Sequence, residues 1–291
     1  MNLFMLLAYF NFMISIFVMY SSDRKSAFQI MLEFLKEMEL YDSCQKTLVA
    51  DQNCNFYPDG WEVVKVPRIN GKFCWADMWN AGVGTAINDI VLYLDSDRLL
   101  KSDFLKIVMD KIVPKTFVFT SNHYMLLKEC DFAFCKELLY SIGDVDFFSK
   151  FAGTIEFEPK YTVPNHNYGK NVMSGCVAFH KEDYWKSGGV DRWYCGHGAF
   201  ADTDYHNQVY QMGYNFLNIE VPELHYFHHK KSGDKNLSKL DIYKLSIDNF
   251  IYYCDKWRIP LSKAASMAHQ AGAKKPLSYV KKRLSFLKES S

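Results

Sequence analysis

Asp95 and Asp97 stand two positions apart at the end of the apolar run in IVLYLDSD (90–97), followed by Arg98 and a further apolar stretch. In an extended segment residues i and i+2 project to one side, so the two carboxylates are expected to face a common point with Ser96 turned away. Hard divalent cations take oxygen ligands of this kind, and Mg2+ is commonly held by one or two carboxylates together with substrate phosphates. A site for a metal and a nucleotide diphosphate is one reading. A solvated turn made of ordinary turn formers is the other, and the segment alone leaves both open. Two more clusters carry chemistry. Asp202 and Asp204 in GHGAFADTDYH fall in the expected first turn of a helix, where the dipole favours carboxylates whatever their role. His225, His228 and His229 in LHYFHHKK (224–231) follow an apolar segment, as metal ligands or as packing and surface residues.

The elements that must position these groups alternate along the chain. Apolar patterning predicts strands over 13–20, 47–51, 61–66, 90–95 and 117–120, with helices over 25–40, 75–86 and 102–109 between them. Strands alternating with helices imply a largely parallel sheet covered on both faces. Ligands of such sheets bind outside the carboxyl ends of the strands, which gathers Tyr20, Ser21 and Ser22, then Asp51, then DSD into one cleft. No glycine-rich phosphate loop follows the first strand, which argues against P-loop kinases and dinucleotide oxidoreductases. Residues 129–171 lack clean periodicity and are expected to form an acceptor-side insertion, with mobile loops around 161–170. Regular structure is expected to resume at 173–191 with a small-residue strand, a short helix starting near His180 to Asp183 and a Gly-Gly turn. A helix starting near Ala201 should follow, and then amphipathic helices over 237–257 and 276–287.

Composition bounds the class. The 291 residues, about half hydrophobic, suffice for a full core, and a formal net charge of +1 offers no field for nucleic acid. Eight cysteines without CxxC pairs suit reduced thiols better than a disulfide framework or a structural zinc. The uncharged first 20 residues could pass for a membrane span, but their second half reads as the first buried strand, and neither a basic n-region nor a cleavage site marks a signal peptide. The expected location is the cytoplasm, with peripheral membrane association through the N-terminal segment left open.

In order, these segments resemble the inverting glycosyltransferases of the GT-A fold, family 2 in the broad sense. The second half is similar to the β-1,4-galactosyltransferase and chondroitin synthase branch. The first half supplies an N-x-G pattern, Asn80 to Gly82, and then the strand ending in D-x-D. The second supplies SGCVAF, KEDYWKSGGVD, GHGAFADTD and LHYFHHKK. The resemblance implies a Rossmann-like, mixed and mainly parallel α/β sheet flanked by helices in a catalytic domain over 12–257. That domain would divide into a nucleotide-sugar-binding half over 12–120 and an acceptor-binding half over 121–257, with a helical extension over 258–291.

It further implies Mn2+ or Mg2+ as cofactor, a nucleotide-sugar donor, UDP-linked by default, and a glycan or glycoconjugate acceptor. Asp202 corresponds to the catalytic base. Asp97 and Asp95 would serve the metal, with His225 favoured over His228 as the third ligand. Tyr20, Ser21, Asp51, Asn80, Asp95, Ser96 and Asp97 fall on the donor side, Asp51 towards the base. Trp193, Tyr194, Gly198 and Asp204 fall on the acceptor side, the aromatic pair as a platform for the acceptor sugar. Lys230 and Lys231 would form a basic lid over phosphate.

The chain departs from that pattern at Ala201, where the branch has glutamate, and in one extra residue between Gly198 and the aspartates. A nucleotidyltransferase of similar fold is an alternative, weakened because SSDRKS (21–26) makes a poor phosphate loop. A degenerate protein that binds nucleotide or glycan without turnover is another, prompted by Ala201.

Overall fold

The computed structural model describes residues 14–69, 74–159, 173, 175–194, 200–226, 248–249 and 251–259. The first strand, β1 (Ser15–Tyr20), is buried along its whole length. Its β-branched and aromatic residues alternate between two cores. Ile16, Val18 and Tyr20 join one, and Phe17 and Met19 the other. The same alternation recurs in β4 (Ile90–Asp95) and β8 (Cys176–His180), so the sheet is a partition between two apolar layers. The first layer is closed by α1 (Lys25–Lys36), α3 (Phe104–Lys111) and α4 (Phe132–Ser141). The second is closed by α2 (Trp75–Thr85), α6 (Lys181–Lys186), α7 (Ala201–Gln211) and the C-terminal helical residues around Tyr253. A short helix, α5 (Phe147–Lys150), follows α4.

Among the described residues the strand order is β3-β2-β1-β4-β8-β6-β9-β5, with β7 paired to β6. Here β2 is Gln45–Asp51, β3 Glu62–Val66, β5 Arg98–Leu100, β6 Thr116–Leu126, β7 Ile155–Pro159 and β9 Asn215–His225. The N-terminal half, β3-β2-β1-β4, is parallel, as the βαβ reading expects. Beyond β4 the sheet is mixed. β8 runs antiparallel to β4 and β6, and β6 runs parallel to β9.

The position of β5 requires the sheet to fold back. Three chain steps, from Asp95 to Arg98, span at most about 11 Å, whereas four strand spacings in a flat sheet would need about 19 Å. β6 shifts register between Thr120 and Asn122, close to Pro222 on β9, and such irregularities bend strands. The outer half of β9 thereby returns over the start of β8 and pairs Arg98 with His225 beside the end of β4.

The N-x-G pattern has a packing explanation. A Cβ on Gly82 would lie 2.3 Å from the Phe17 ring, which is wedged against Trp79 and Tyr93, so only glycine lets α2 lie this close to β1. Gly188 and Gly189 adopt positive φ angles of 89° and 67° and form the turn expected after α6. Cys44, Cys54, Cys130, Cys135 and Cys254 carry free thiols. Burial pushes the thiols of Cys44, Cys135 and Cys254 up to about 12, which leaves them without thiolate character. No described helix is long and apolar enough to cross a membrane. Residues 1–13, most of 237–257 and all of 276–287 lie outside the described residues.

His206 on α7 gives this fold a pH dependence. It is buried and stacked on Phe216 at 4.5 Å, and desolvation lowers its pKa to about 4. The unfolded chain takes up a proton between the ordinary value of about 6.5 and about 4 that the folded chain refuses, so this contribution to stability grows as pH rises across that window and is complete above it. Unfolding free energies measured between pH 4 and 7 should fall by about 3 kcal/mol towards the acid end from this group alone. His206→Leu should flatten that part of the curve, and an unchanged slope would contradict the assignment.

Candidate active site

The carboxyl ends of β1, β2, β4, β6 and β9 lie at one edge of the sheet, because β6 and β9 run with β4 and β8 runs against it. α7 adds its N-terminus to that edge. It ends at Gln211 and hands over through Gly213 to the start of β9 at the opposite edge, so its first turn, with Asp202, points back to where β9 finishes. Topology therefore gathers Ser21, Asp51, Asp95, Asp97, Asp202 and His225 along one rim.

The two DSD aspartates converge differently from the sequence expectation. β4 stops at Asp95, and Ser96 and Asp97 form the turn into β5, so the carboxylates are not on one face of a strand. Arg98 draws them together. Its Nη2 lies 3.5 Å from Asp95 Oδ2, its Nε 3.5 Å from Asp97 Oδ1, and its Nη1 3.2 Å from Glu223 Oε1. Glu223, buried on β9, also accepts a 2.6 Å hydrogen bond from Thr120. Asp95 accepts a hydrogen bond from the Tyr93 hydroxyl, and burial together with the Asp95 charge holds that phenol well above its ordinary range. Asp97 accepts an ion-paired hydrogen bond from Arg24 at the start of α1, and its backbone carbonyl accepts from Tyr226 N at 2.8 Å. His225 Nε2 stands 3.4 Å from Asp97 Oδ2.

These donors suit a hard or borderline divalent cation. Two atoms bound side by side to one cation at about 2.1 Å stand about 3 Å apart in octahedral geometry, close to the His225–Asp97 separation. Two carboxylates and an imidazole match Mn2+ in type. Among the described residues no closed set of three or more ligating side chains is already gathered around one point, so the fit rests on the Asp97–His225 pair with Asp95 nearby.

Of the residues expected on the donor side, Asp51 accepts from Asn53 N at 2.8 Å and from Arg68 at 3.2 Å, a pairing absent from the sequence reading. Ser21 precedes the short turn Ser22–Arg24, and Ser96 is buried in the β4–β5 turn. Two expected donor contacts lie elsewhere. Tyr20 is buried, stacked at 5.5 Å on Phe56, because the last inward position of β1 falls over the α1 core. Asn80 accepts from the Tyr184 hydroxyl at 2.6 Å and donates to Val190 O at 3.1 Å, so it braces α2 against the Gly-Gly turn.

The residues expected on the acceptor side divide in the same way. Trp193 is 59% exposed and stacks on Tyr252 at 4.7 Å, leaving an aromatic face towards solvent. Tyr194 is fully buried and edge-on to Tyr252, which removes it from the expected platform. Asp204 is also a correction. It is fully buried, accepting from Lys256 Nζ at 2.7 Å and Trp257 Nε1 at 2.6 Å, while Lys256 also reaches Asp191 at 2.9 Å. Burial pushes the Asp204 carboxyl up, with Lys256 and Trp257 pulling the other way. Asp204 is thus the anchor of the C-terminal helical residues. Two positions earlier, Asp202 is only half-buried and accepts from Thr203 N at 2.8 Å. Gly198, His228, Lys230 and Lys231 lie outside the described residues.

No family model and no curated protein matches the sequence. Solved structures match in fold. The structure of GalNAc-T7 with UDP, GalNAc and Mn2+ superposes with a TM-score of 0.55 at 10% identity, covering 84% of this chain and 48% of that one. The structure of S. aureus TarS 1-349 in complex with UDP-GlcNAc gives a TM-score of 0.50 at 10% identity, covering 88% and 70%. The chain spans about half the length of the GalNAc-T7 chain. The fold is the mixed α/β GT-A fold, a central sheet flanked by helices. The similarity does not single out the galactosyltransferase and chondroitin synthase branch.

The Asp204 anchor is testable by removing its cation. A buried carboxylate that loses its partner costs 3–5 kcal/mol, which the quarter-exposed Lys256 side chain reduces to about 2 kcal/mol here. Lys256→Met should lower the denaturant midpoint accordingly and raise amide exchange over 251–259. A variant as protected as the parent in that segment would rule the anchor out.

Proposed function

We propose that this protein is a metal-dependent inverting glycosyltransferase, of hexosyltransferase type, that moves a sugar from a UDP-sugar to a hydroxyl of a glycan acceptor. The observation that carries the reading is the placement of Asp97 and His225, 3.4 Å apart, at the same sheet edge as the half-buried Asp202 of α7. The fold match supports the nucleotide-sugar and metal part of the reading, since the GalNAc-T7 structure contains UDP and Mn2+ and the TarS structure UDP-GlcNAc.

In this reading Asp97, His225 and Asp95 would hold Mn2+ or Mg2+, which would supply charge neutralisation for the departing diphosphate. Ser21, Ser96 and Asp51 line the nucleotide side, with Asp51 and Arg68 towards the base. Trp193 offers an apolar face to the acceptor ring. Asp202 takes the proton from the acceptor hydroxyl as its oxygen bonds to the anomeric carbon, and the bond from that carbon to the diphosphate breaks on the opposite side. UDP leaves with the bonding pair, and the configuration inverts without a covalent enzyme intermediate. Arg98 holds the two DSD carboxylates in place, with Glu223 holding Arg98.

Assays with a panel of UDP-sugars and Mn2+ should detect donor hydrolysis in the parent, and Asp97→Ala should lower it by about a hundredfold or more. Asp202→Asn should reduce kcat for transfer by roughly 10²–10⁴ while the UDP dissociation constant stays within about twofold. Loss of UDP binding together with turnover in that variant would mean that Asp202 is not the base. Turnover indifferent to both metal and Asp97 would remove the reading altogether.

A further inference from the structure

The sheet edge opposite the candidate active site carries a row of bare apolar side chains. Ile87 precedes β4, Trp185 stands on the helix that follows β8, Val113 precedes β6 and Met212 precedes β9, and all are between 45% and 67% exposed. These four strands are consecutive in the sheet, so the row spans about 14 Å. Hydrogen bonds tie its loops into one surface. Lys181 N donates to Asp89 O at 2.7 Å, Lys115 N to Asp183 Oδ2 at 2.6 Å and Asn215 N to Lys115 O at 2.8 Å. On the other side of β4 lies β1, whose start is bonded into the same edge: Gln45 N donates to Ile14 O at 3.2 Å, and Ile87 N to Gln45 Oε1 at 2.8 Å. Residues 1–13 therefore join the domain beside Ile87.

We infer that this edge docks on a lipid bilayer, with residues 1–13 and the row of Ile87, Trp185, Val113 and Met212 entering its apolar layer. The inference goes beyond the proposed reaction and does not depend on it. Composition separates a bilayer from the other occupants that an apolar row could take. In MNLFMLLAYFNFM (1–13) no residue is charged, and asparagine at 2 and 11 alone interrupts the apolar and aromatic residues. If this segment merely covered the row, one side of it would be buried and the other would leave leucine, phenylalanine and methionine in water. A segment apolar all round needs an apolar environment all round. A second copy of the chain is also a poor match, because four half-exposed side chains offer on the order of 400 Å², against about 800 Å² per partner in a stable interface. Charge adds little. Lys111, Lys115, Lys181 and Lys186 stand among Asp89, Asp110 and Glu182, with Lys186 paired to Glu182 at 2.6 Å, so apolar burial supplies the affinity and anionic headgroups are not needed. Docked in this way, the protein turns the carboxyl ends of its parallel strands, and the rim with Asp97 and Asp202, towards the aqueous phase.

The test is co-flotation of the full chain with phosphatidylcholine vesicles, with and without phosphatidylserine. The parent should float with both to a similar extent. The combined variant Ile87→Gln, Val113→Gln, Met212→Gln should partition roughly tenfold more weakly or worse, and so should Phe10→Lys within 1–13. Phe148→Ser is the control, since Phe148 is exposed but lies beside Tyr124, towards the carboxyl end of β6, and it should leave partitioning unchanged. Brominated phosphatidylcholine should quench part of the tryptophan fluorescence, and Trp185→Phe should remove most of that quenching, a readout that stands even where the triple variant folds poorly. A parent that does not float ends the inference, and if it is then a dimer that the triple variant breaks, the row is an interface between copies. Flotation that requires phosphatidylserine would overturn apolar docking. No loss in the triple variant, or an equal loss in Phe148→Ser, would place the contact on another surface.

Discussion

The two-residue link between β4 and β5 is the constraint on which the site depends. Ser96 and Asp97 are too short a span to carry the chain across a flat sheet, so β5 can pair with β9 only if β9 curls back. That return sets His225 opposite Arg98 and 3.4 Å from Asp97. The bend is supported from below by the register shift in β6 and by Pro222, which cannot donate to a ladder in any case. A longer link would free β5 from this closure, and the contact between residues 128 positions apart in sequence would no longer follow from backbone geometry.

Closure concentrates charge, and the structure distributes it unevenly. Four acidic or basic side chains, Asp95, Asp97, Arg98 and Glu223, meet where the strands converge, and all but Asp95 are buried. A buried ion pair gains little net stability once desolvation is counted, so this network is better understood as a device for fixing geometry than as a source of folding energy. Glu223 holds Arg98 from inside, with Thr120 occupying its second oxygen, and Arg98 holds the two aspartates from one side. Their other side faces the rim. The two apolar layers beneath make this precision possible, because every strand that contributes to the rim is packed on both faces.

The parallel half of the fold was legible because a fully buried strand reads as an apolar run, and β1, β2 and β4 lie within a few residues of their expected spans. The place of DSD at the end of β4 was legible for the same reason. The curl of β9 was not, since a backbone bend leaves only Pro222 as a trace, and the link that forces it is visible as a constraint only once β5 is known to be a strand. Side-chain burial was harder still. Tyr20, Asn80, Tyr194 and Asp204 have the right chemistry to bind a ligand, and each sits within a few residues of the rim. Each is engaged by a partner far away in sequence, Phe56, Val190, Tyr252 and Lys256, and all but Asn80 are buried. Arg24, Arg68 and Glu223 escaped notice because their importance comes from those same long-range pairings.

The two aspartates of α7 show how one short pattern serves both ends. Successive helix residues turn by about 100°, so positions two apart point in nearly opposite directions. Asp204 faces inwards with Ala201 and Tyr205, one turn apart on the same buried face, and Asp202 is left half-buried. Ala201, where the sequence pattern led to an expected glutamate, falls on that inner face. A glutamate at 201 would bring a second carboxylate within one turn of Asp204, where Lys256 already divides its charge between Asp204 and Asp191. Alanine fits there with no side chain to satisfy. Alanine at this position therefore suits the anchoring of the C-terminal helical residues and lies off the face that carries Asp202.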